Sequence, residues 1–268
     1  MKSRIAARIA LAFFVLPVLS LFGQSPPTYQ RVLLPVLVDS TLPGAYGSIW
    51  KTELWGFNES DLYVPVKTDP NHRCAIPEGC PSEPAQPHSA FGFGAGTYPA
   101  GRFIFVGSEH AGDVHFVLRI YDASRQDLTY GTTIPVVPET GFSSNPLPLV
   151  NVVVAPQFRA MLRVYGLDNL RDDVAVTIIR TDNPLVKGQL NVRVPLEPQQ
   201  ASELNGGNQS VPSFGTIPDL GAIIPPEMLV RGPVEPRFAV EVRPNAQRLW
   251  SFVSVTHNET QHFTIIAP

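Results

Sequence analysis

The 268-residue sequence is short of charge. Asp, Glu, Lys and Arg supply 16% of it, against about 25% in an average soluble protein. Helical periodicity is almost missing beyond residue 23. Together these shortages exclude a coiled coil, a helical bundle and a highly charged disordered chain. Basic clusters are missing too, which removes the electrostatic footprint of a nucleic-acid binder and the attraction to an anionic membrane surface. Chemistry-bearing motifs are equally scarce. No Gly-x-Ser-x-Gly elbow offers an activated serine, and no His-Glu-x-x-His helix suggests a zinc peptidase. The run Gly92–Gly96 is followed by Thr97-Tyr98-Pro99, not by a helix that would hold a phosphate. No catalytic residue, metal site or cofactor is expected from these patterns.

The N-terminus carries the clearest signal. Lys2, Arg4 and Arg8 form a basic region ahead of the charge-free stretch Ile9–Phe22. That stretch is short for a membrane span of about 20 residues and suits the apolar core of a signal peptide. Pro17, Ser20 and Gly23 lead to a processing site, so a signal peptide is expected over residues 1–23, with an uncleaved anchor as the alternative. No cysteine lies near the cut to take a lipid, and no second apolar stretch reaches membrane length. The expected product is therefore secreted, periplasmic or held at the cell surface, with no membrane span in the mature chain. Loss of the first 23 residues takes away three positive charges and moves the net charge from −3 to −6. Cys74 and Cys80, the two cysteines of the chain, are separated by five residues. Export favours a local disulfide between them, which would stiffen one loop. A zinc site of His72, Cys74, Cys80 and His88 is the alternative.

Proline and β-forming residues are what the sequence has in plenty. There are 28 prolines, about twice the average share. Short runs of Val, Ile, Phe, Tyr and Thr recur between Gly, Pro, Asn and Asp, the pattern of an all-β chain. Strands are expected at Arg31–Val38, Ile49–Phe57, Leu62–Lys67, Arg102–Val106, His115–Tyr121 and Thr132–Val137 in the first half. In the second half they are expected at Leu149–Val154, Arg159–Tyr165, Val174–Thr181, Gln189–Pro195, Phe238–Arg243, Leu249–Thr256 and His262–Ile266. One helical turn is expected near Glu227–Val230, after Pro225-Pro226. The linker-like stretch Pro138–Pro148 divides the chain into two antiparallel β-sandwich domains in tandem, 29–138 and 146–268. The long connections Asp69–Gly101 and Glu197–Pro236 read either as the loops that grip a partner or as proline-stiffened covers over sheet edges.

Two internal similarities support the pairing. Ile49-Trp50 through Asn58-Glu59-Ser60 matches Leu249-Trp250 through Asn258-Glu259-Thr260 at an offset of 200, each copy reading as a β-hairpin. Leu118-Arg119-Ile120-Tyr121 matches Leu162-Arg163-Val164-Tyr165. Over Ser48–Val66 and Arg248–Pro268 the chain resembles uncharacterised exported bacterial β-sandwich proteins of the immunoglobulin-like type, whose strands carry W-x-T/S-x-L/V-x-V-x-N patterns. The resemblance implies an immunoglobulin-like sandwich and brings no catalytic residue with it. Cys74 and Cys80 stand too close in sequence to form the bridge between sheets.

Three functional readings follow. The first is a non-enzymatic structural or interaction protein of adhesion type, with a protein or glycan as its partner. The second is a carbohydrate-binding module using Trp55, Phe57 and Tyr98; Trp55 and Phe57 share a strand face with Lys51 and Glu53, whereas Trp50 and Trp250 belong to the core. The third is a metal-dependent hydrolase around Glu109, His110, Asp113 and His115. Asp168, Asn169, Asp172 and Asp173 offer calcium-type oxygens, although turn formation alone accounts for them. Arg119 with Tyr121, and Arg163 with Tyr165, are read as covers over their sheet faces. Asn58, Asn208 and Asn258 begin N-x-Ser/Thr triplets.

Overall fold

A computed structural model describes residues 28–68, 84–92, 96–125, 131–183, 188–200, 207–230, 232 and 234–268, without the side chains of 39–42, 84, 207 and 208. The expected signal segment 1–23 and the pair Cys74 and Cys80 lie outside the described residues. The first half contributes β1 (Tyr29–Leu34), β2 (Asp39–Pro43), β3 (Ile49–Asn58), β4 (Val64–Lys67), β5 (Pro84–Ala85), β6 (Ser89–Gly92), β7 (Arg102–Gly107), β8 (Val114–Asp122), β9 (Thr132–Ile134) and β10 (Val137–Pro138). The second contributes β11 (Leu147–Val153), β12 (Phe158–Gly166), β13 (Asp172–Arg180), β14 (Gln189–Leu196), β15 (Ser213–Ile217), β16 (Arg237–Arg243), β17 (Leu249–His257) and β18 (Phe263–Ile266). Helix among the described residues is confined to short 3-10 turns, one of them at Pro226–Met228 behind Pro225.

Among the described residues every pairing is antiparallel, and the strands fall into four sheets with no barrel. The first half holds the orders β10-β1-β7-β4-β5 and β2-β3-β8-β9, with β6 also on β3. The second half holds β11-β16-β13-β14 and β15-β12-β17-β18. Alternation along each strand sorts the faces. Leu54, Leu118 and Ile120 join Leu33, Phe103 and Val106 in one buried cluster. Leu162, Val164 and Val253 join Val176, Ile178 and Val240 in another. The chain is thus sandwich-like in each half.

Four sequence expectations change. β17 and β18 pair as a hairpin, from Val253↔Ile266 to Thr256↔Phe263, but β4 leaves β3 and pairs with β5 and β7 in the opposite sheet. The buried side chain of Asn58 turns that corner. Its amide donates to the carbonyls of Leu62 and Ala85, both at 2.8 Å, and its Oδ1 accepts from the Ser60 backbone N–H. Trp50 and Trp250 are not equivalent either. Trp50 lies on the inner face of its own sheet, in line with Leu54, whereas Trp250 lies on the face of β17 opposite Leu249, Val253 and Val255. The offset-200 match is therefore not a structural duplication. The expected linker is packed: Phe142 is buried against Phe103, ring centroids 6.0 Å apart, and Ser143 exchanges backbone hydrogen bonds with Leu249. Finally, Glu197–Pro236 contains β15, bounded by Pro212 and Pro218, and its Leu220, Ile224 and Met228 fill the second core. The flanking prolines and short length had marked this segment as loop.

The two halves share the first core. The sheet β15-β12-β17-β18 turns one face to its own sandwich. Its other face carries Tyr165, Trp250 and Phe252, all buried within the first cluster. Tyr165 is fully buried and donates its phenol to the Pro35 carbonyl at 2.7 Å. Its ring lies 5.3 Å from Phe214, 5.7 Å from Trp250 and 6.2 Å from Phe252 in a stacked arrangement. Burial raises the Tyr165 pKa against the opposing pull of Arg163. Gly101 is required beside it: its φ is +81°, and a Cβ would stand 2.9 Å from the Pro35 carbonyl oxygen and 3.1 Å from the Tyr165 ring. Polar ties add to the joint, with Arg31 on Glu139 at 3.0 Å and on the Leu167 carbonyl at 3.1 Å.

A buried ion pair closes one end of the second core. Arg180 and Asp182 meet at 3.0 Å, with side-chain exposures of 0% and 7%, and Arg180 also donates to the Met228 carbonyl at 2.9 Å. The Arg180 hydrogen bonds hold Asp182 below the usual carboxylate range. Asp172 is also lowered: burial opposes ionisation there, but donors from Asn245, Ala246 and Asp173 outweigh it.

Two predictions follow from this packing. Tyr165→Phe leaves the Pro35 carbonyl without its partner and costs about 1–3 kcal/mol, whereas Tyr165→Ala also opens a cavity and costs about 3–5 kcal/mol. Urea titrations of the full chain check both. The two depressed carboxylates stabilise the fold fully above the unfolded carboxylate pKa of about 3.9, and that stabilisation is lost as pH falls through their lower folded values. Unfolding free energy measured from pH 7 to pH 2 should fall below about pH 4, and Asp182→Asn should flatten that acid limb.

Candidate functional site

The outer face of β3 and β8 gathers the exposed aromatic groups predicted from the sequence. Leu54 and Leu118 point into the core, which by alternation turns Lys51, Glu53, Trp55 and Phe57 outward beside His115, Val117, Arg119 and Tyr121. The register sets them in rows: Lys51↔Tyr121, Glu53↔Arg119, Trp55↔Val117 and Phe57↔His115. On the other side β6 places Gly92 against Trp55 and Ala90 against Phe57, too small to cover the rings. Trp55 is 56% exposed, Val117 52% and Phe57 39%. Gly56, between the two aromatics, points inward, where a Cβ would meet the Phe91 ring at 2.2 Å. Phe91 in turn packs edge-on against Phe116 at 6.1 Å. The strip is thus backed by a filled interior.

Polar pairs bound the strip at both ends. Arg119 donates to Glu53 at 2.7 Å, and the Tyr121 hydroxyl donates to the same carboxylate at 3.0 Å. The Arg119 guanidinium also lies 5.0 Å from the Tyr121 ring centroid. At the other end His115 Nε2 stands 3.2 Å from Glu59. The result is a flat apolar platform with hydrogen-bonding groups on its rim. It can stack a sugar ring or the side chains of a partner. Sequence alternation had found Trp55 and Phe57, but Val117 and the Glu53–Arg119 rim emerge only once β8 is in register beside β3.

Other predicted residues are dispersed. Tyr98 pairs with Leu37 and lies under the Arg102 guanidinium, 4.4 Å from its ring centroid, so it does not join Trp55 and Phe57. The Glu109, His110, Asp113 and His115 cluster separates: His110 pairs with Asp113 at 3.2 Å, while His115 turns to Glu59. Asp168 faces Arg31 at 3.5 Å, Asn169 bonds the Gln199 backbone, and Asp172 holds Asn245 and Ala246. These oxygens are taken up by an ion pair and hydrogen bonds to distant segments of the chain. His88 pairs with Asp61 at 2.7 Å, and its proposed zinc partners His72, Cys74 and Cys80 lie outside the described residues. Among the described residues no three His, Cys, Asp or Glu side chains gather in a metal-binding group, and no helix is long and apolar enough to cross a membrane. Comparison with family models, curated proteins and solved structures finds no match to this chain.

Proposed function

We propose that the protein is an exported, non-enzymatic structural or interaction module of adhesion type. In this reading it consists of two immunoglobulin-like sandwiches in tandem and presents the outer face of β3 and β8 to its partner. The observation that carries the reading is the Trp55, Phe57 and Val117 strip, exposed in adjacent register positions and bounded by polar pairs. Exposed clusters of this kind on a rigid sheet mark recognition surfaces. The degree of Trp55 exposure favours a glycan as the partner, since a sugar ring can stack on the indole while Glu53, Arg119 and His115 reach its hydroxyls.

Trp55→Ala should leave the melting temperature close to wild type, because the ring is largely in water. The same change should weaken retention on the partner about tenfold or more, as expected of an aromatic anchor. Affinity chromatography on immobilised polysaccharides, read beside a glycan array, measures this; silence of the wild-type protein on both would remove the glycan reading. Turnover of an ester, peptide or glycoside library by purified protein, abolished by a point mutation, would overturn the non-enzymatic one.

A further inference from the structure

Where the two halves meet, a cleft of about 380 Å³ opens. That volume is at the small end of ligand sites. Val36, Val38, Ile120 and Ile134 form its wall in the first half, and Met161 and Phe252 face them from the second. Its charged lining is Arg159 and Arg163, of which Arg163 is tied to the Pro99 carbonyl and lies over the Phe214 ring. Thr256 is the direct neighbour of Arg159 across the β12–β17 pairing, and Ser254 is one row further.

Arg159 is half-buried. Among the described residues no carboxylate, carbonyl or aromatic ring receives its guanidinium, whereas Arg31, Arg163 and Arg180 each have such a partner. The nearby acids among the described residues accept from other donors and make no hydrogen bond or ion pair with Arg159. Asp219 and Glu235 line an adjacent hollow that Arg159 also borders, but Asp219 accepts from the Gly221 N–H at 3.0 Å and Glu235 from Gln157 at 2.7 Å. A guanidinium partly removed from water beside an apolar cleft favours an anionic acceptor. A carboxylate matches its fork in two parallel hydrogen bonds.

We propose that this cleft binds a single-chain anionic amphiphile of the fatty-acid class. The carboxylate sits on Arg159 beside the Thr256 and Ser254 hydroxyls, and the chain lies between Val38, Ile134, Phe252 and Ile265. The volume admits one acyl chain. The site is independent of the Trp55 platform, so Trp55→Ala serves as a control that keeps wild-type binding here.

Isothermal calorimetry of the full chain with decanoate, below its micelle-forming concentration, tests the proposal against 1-decanol. Decanoate should bind saturably at one per chain and more tightly than the alcohol. Arg159→Gln should weaken decanoate about tenfold or more while leaving decanol binding unchanged. Ile265→Trp, which fills the cleft and keeps Arg159, should abolish binding of both, with circular dichroism reporting the fold of each variant. If Arg159→Gln does not fold, Arg159→Lys should retain decanoate binding at reduced affinity. The absence of saturable decanoate binding to wild type, an Arg159→Gln variant that binds like wild type, or decanol binding as tight as decanoate overturns the proposal.

Discussion

The joint between the halves depends on one buried phenol. The first core is completed by side chains from the second half, Tyr165, Trp250, Phe252 and Phe263. Tyr165 stands at the centre of that layer, with a ring in contact with three other aromatics and a hydroxyl on the Pro35 carbonyl. Each such aromatic buries roughly 150–250 Å², so the layer supplies much of the apolar contact that holds the halves together. It also explains why Gly101 must pass close beside the ring and why Phe142 is drawn inward from the connecting segment.

The sheets that carry β3 and β17 use their two faces differently. β17 is buried on both faces over most of its length, since its even-numbered residues meet the first half and its odd-numbered ones fill the second core. β3 is buried on one face and open on the other beyond Glu53. That asymmetry leaves the first half with an exposed sheet face while the corresponding face of the second half is consumed by the joint. The cleft at Arg159 lies where the joint ends, at the margin between the aromatic layer and solvent.

Most of the strands were legible in the sequence, because runs such as Val114–Asp122 and Phe158–Gly166 alternate cleanly and end at turn residues. Some of the short strands were not. β5 has two residues, one of them proline, so nothing in its composition separates it from loop. Face assignment within a strand also succeeded: Leu162 and Val164 are inside, and Arg163 and Tyr165 are on the other face. What alternation cannot reveal is what the other face meets. The same Arg-x-Tyr spacing gives a part-exposed Arg119 over a buried Tyr121 at the edge of the platform and a Tyr165 buried in the joint beside Arg163, since the distinction comes from a partner sheet distant in the chain. The platform was half legible for the same reason, with Trp55 and Phe57 readable along β3 and Val117 readable only through cross-strand register.

Asn58 combines a glycosylation-type triplet with a side chain that has no room for a sugar. Its amide nitrogen is committed to two carbonyls at the corner where the chain crosses between sheets. Oligosaccharide attached to that nitrogen before folding would displace both acceptors and keep β4 out of its sheet. Production in yeast or animal cells would therefore divide the protein into an unmodified, folded pool and a glycosylated pool diverted to quality control, a loss that bacterial expression does not incur.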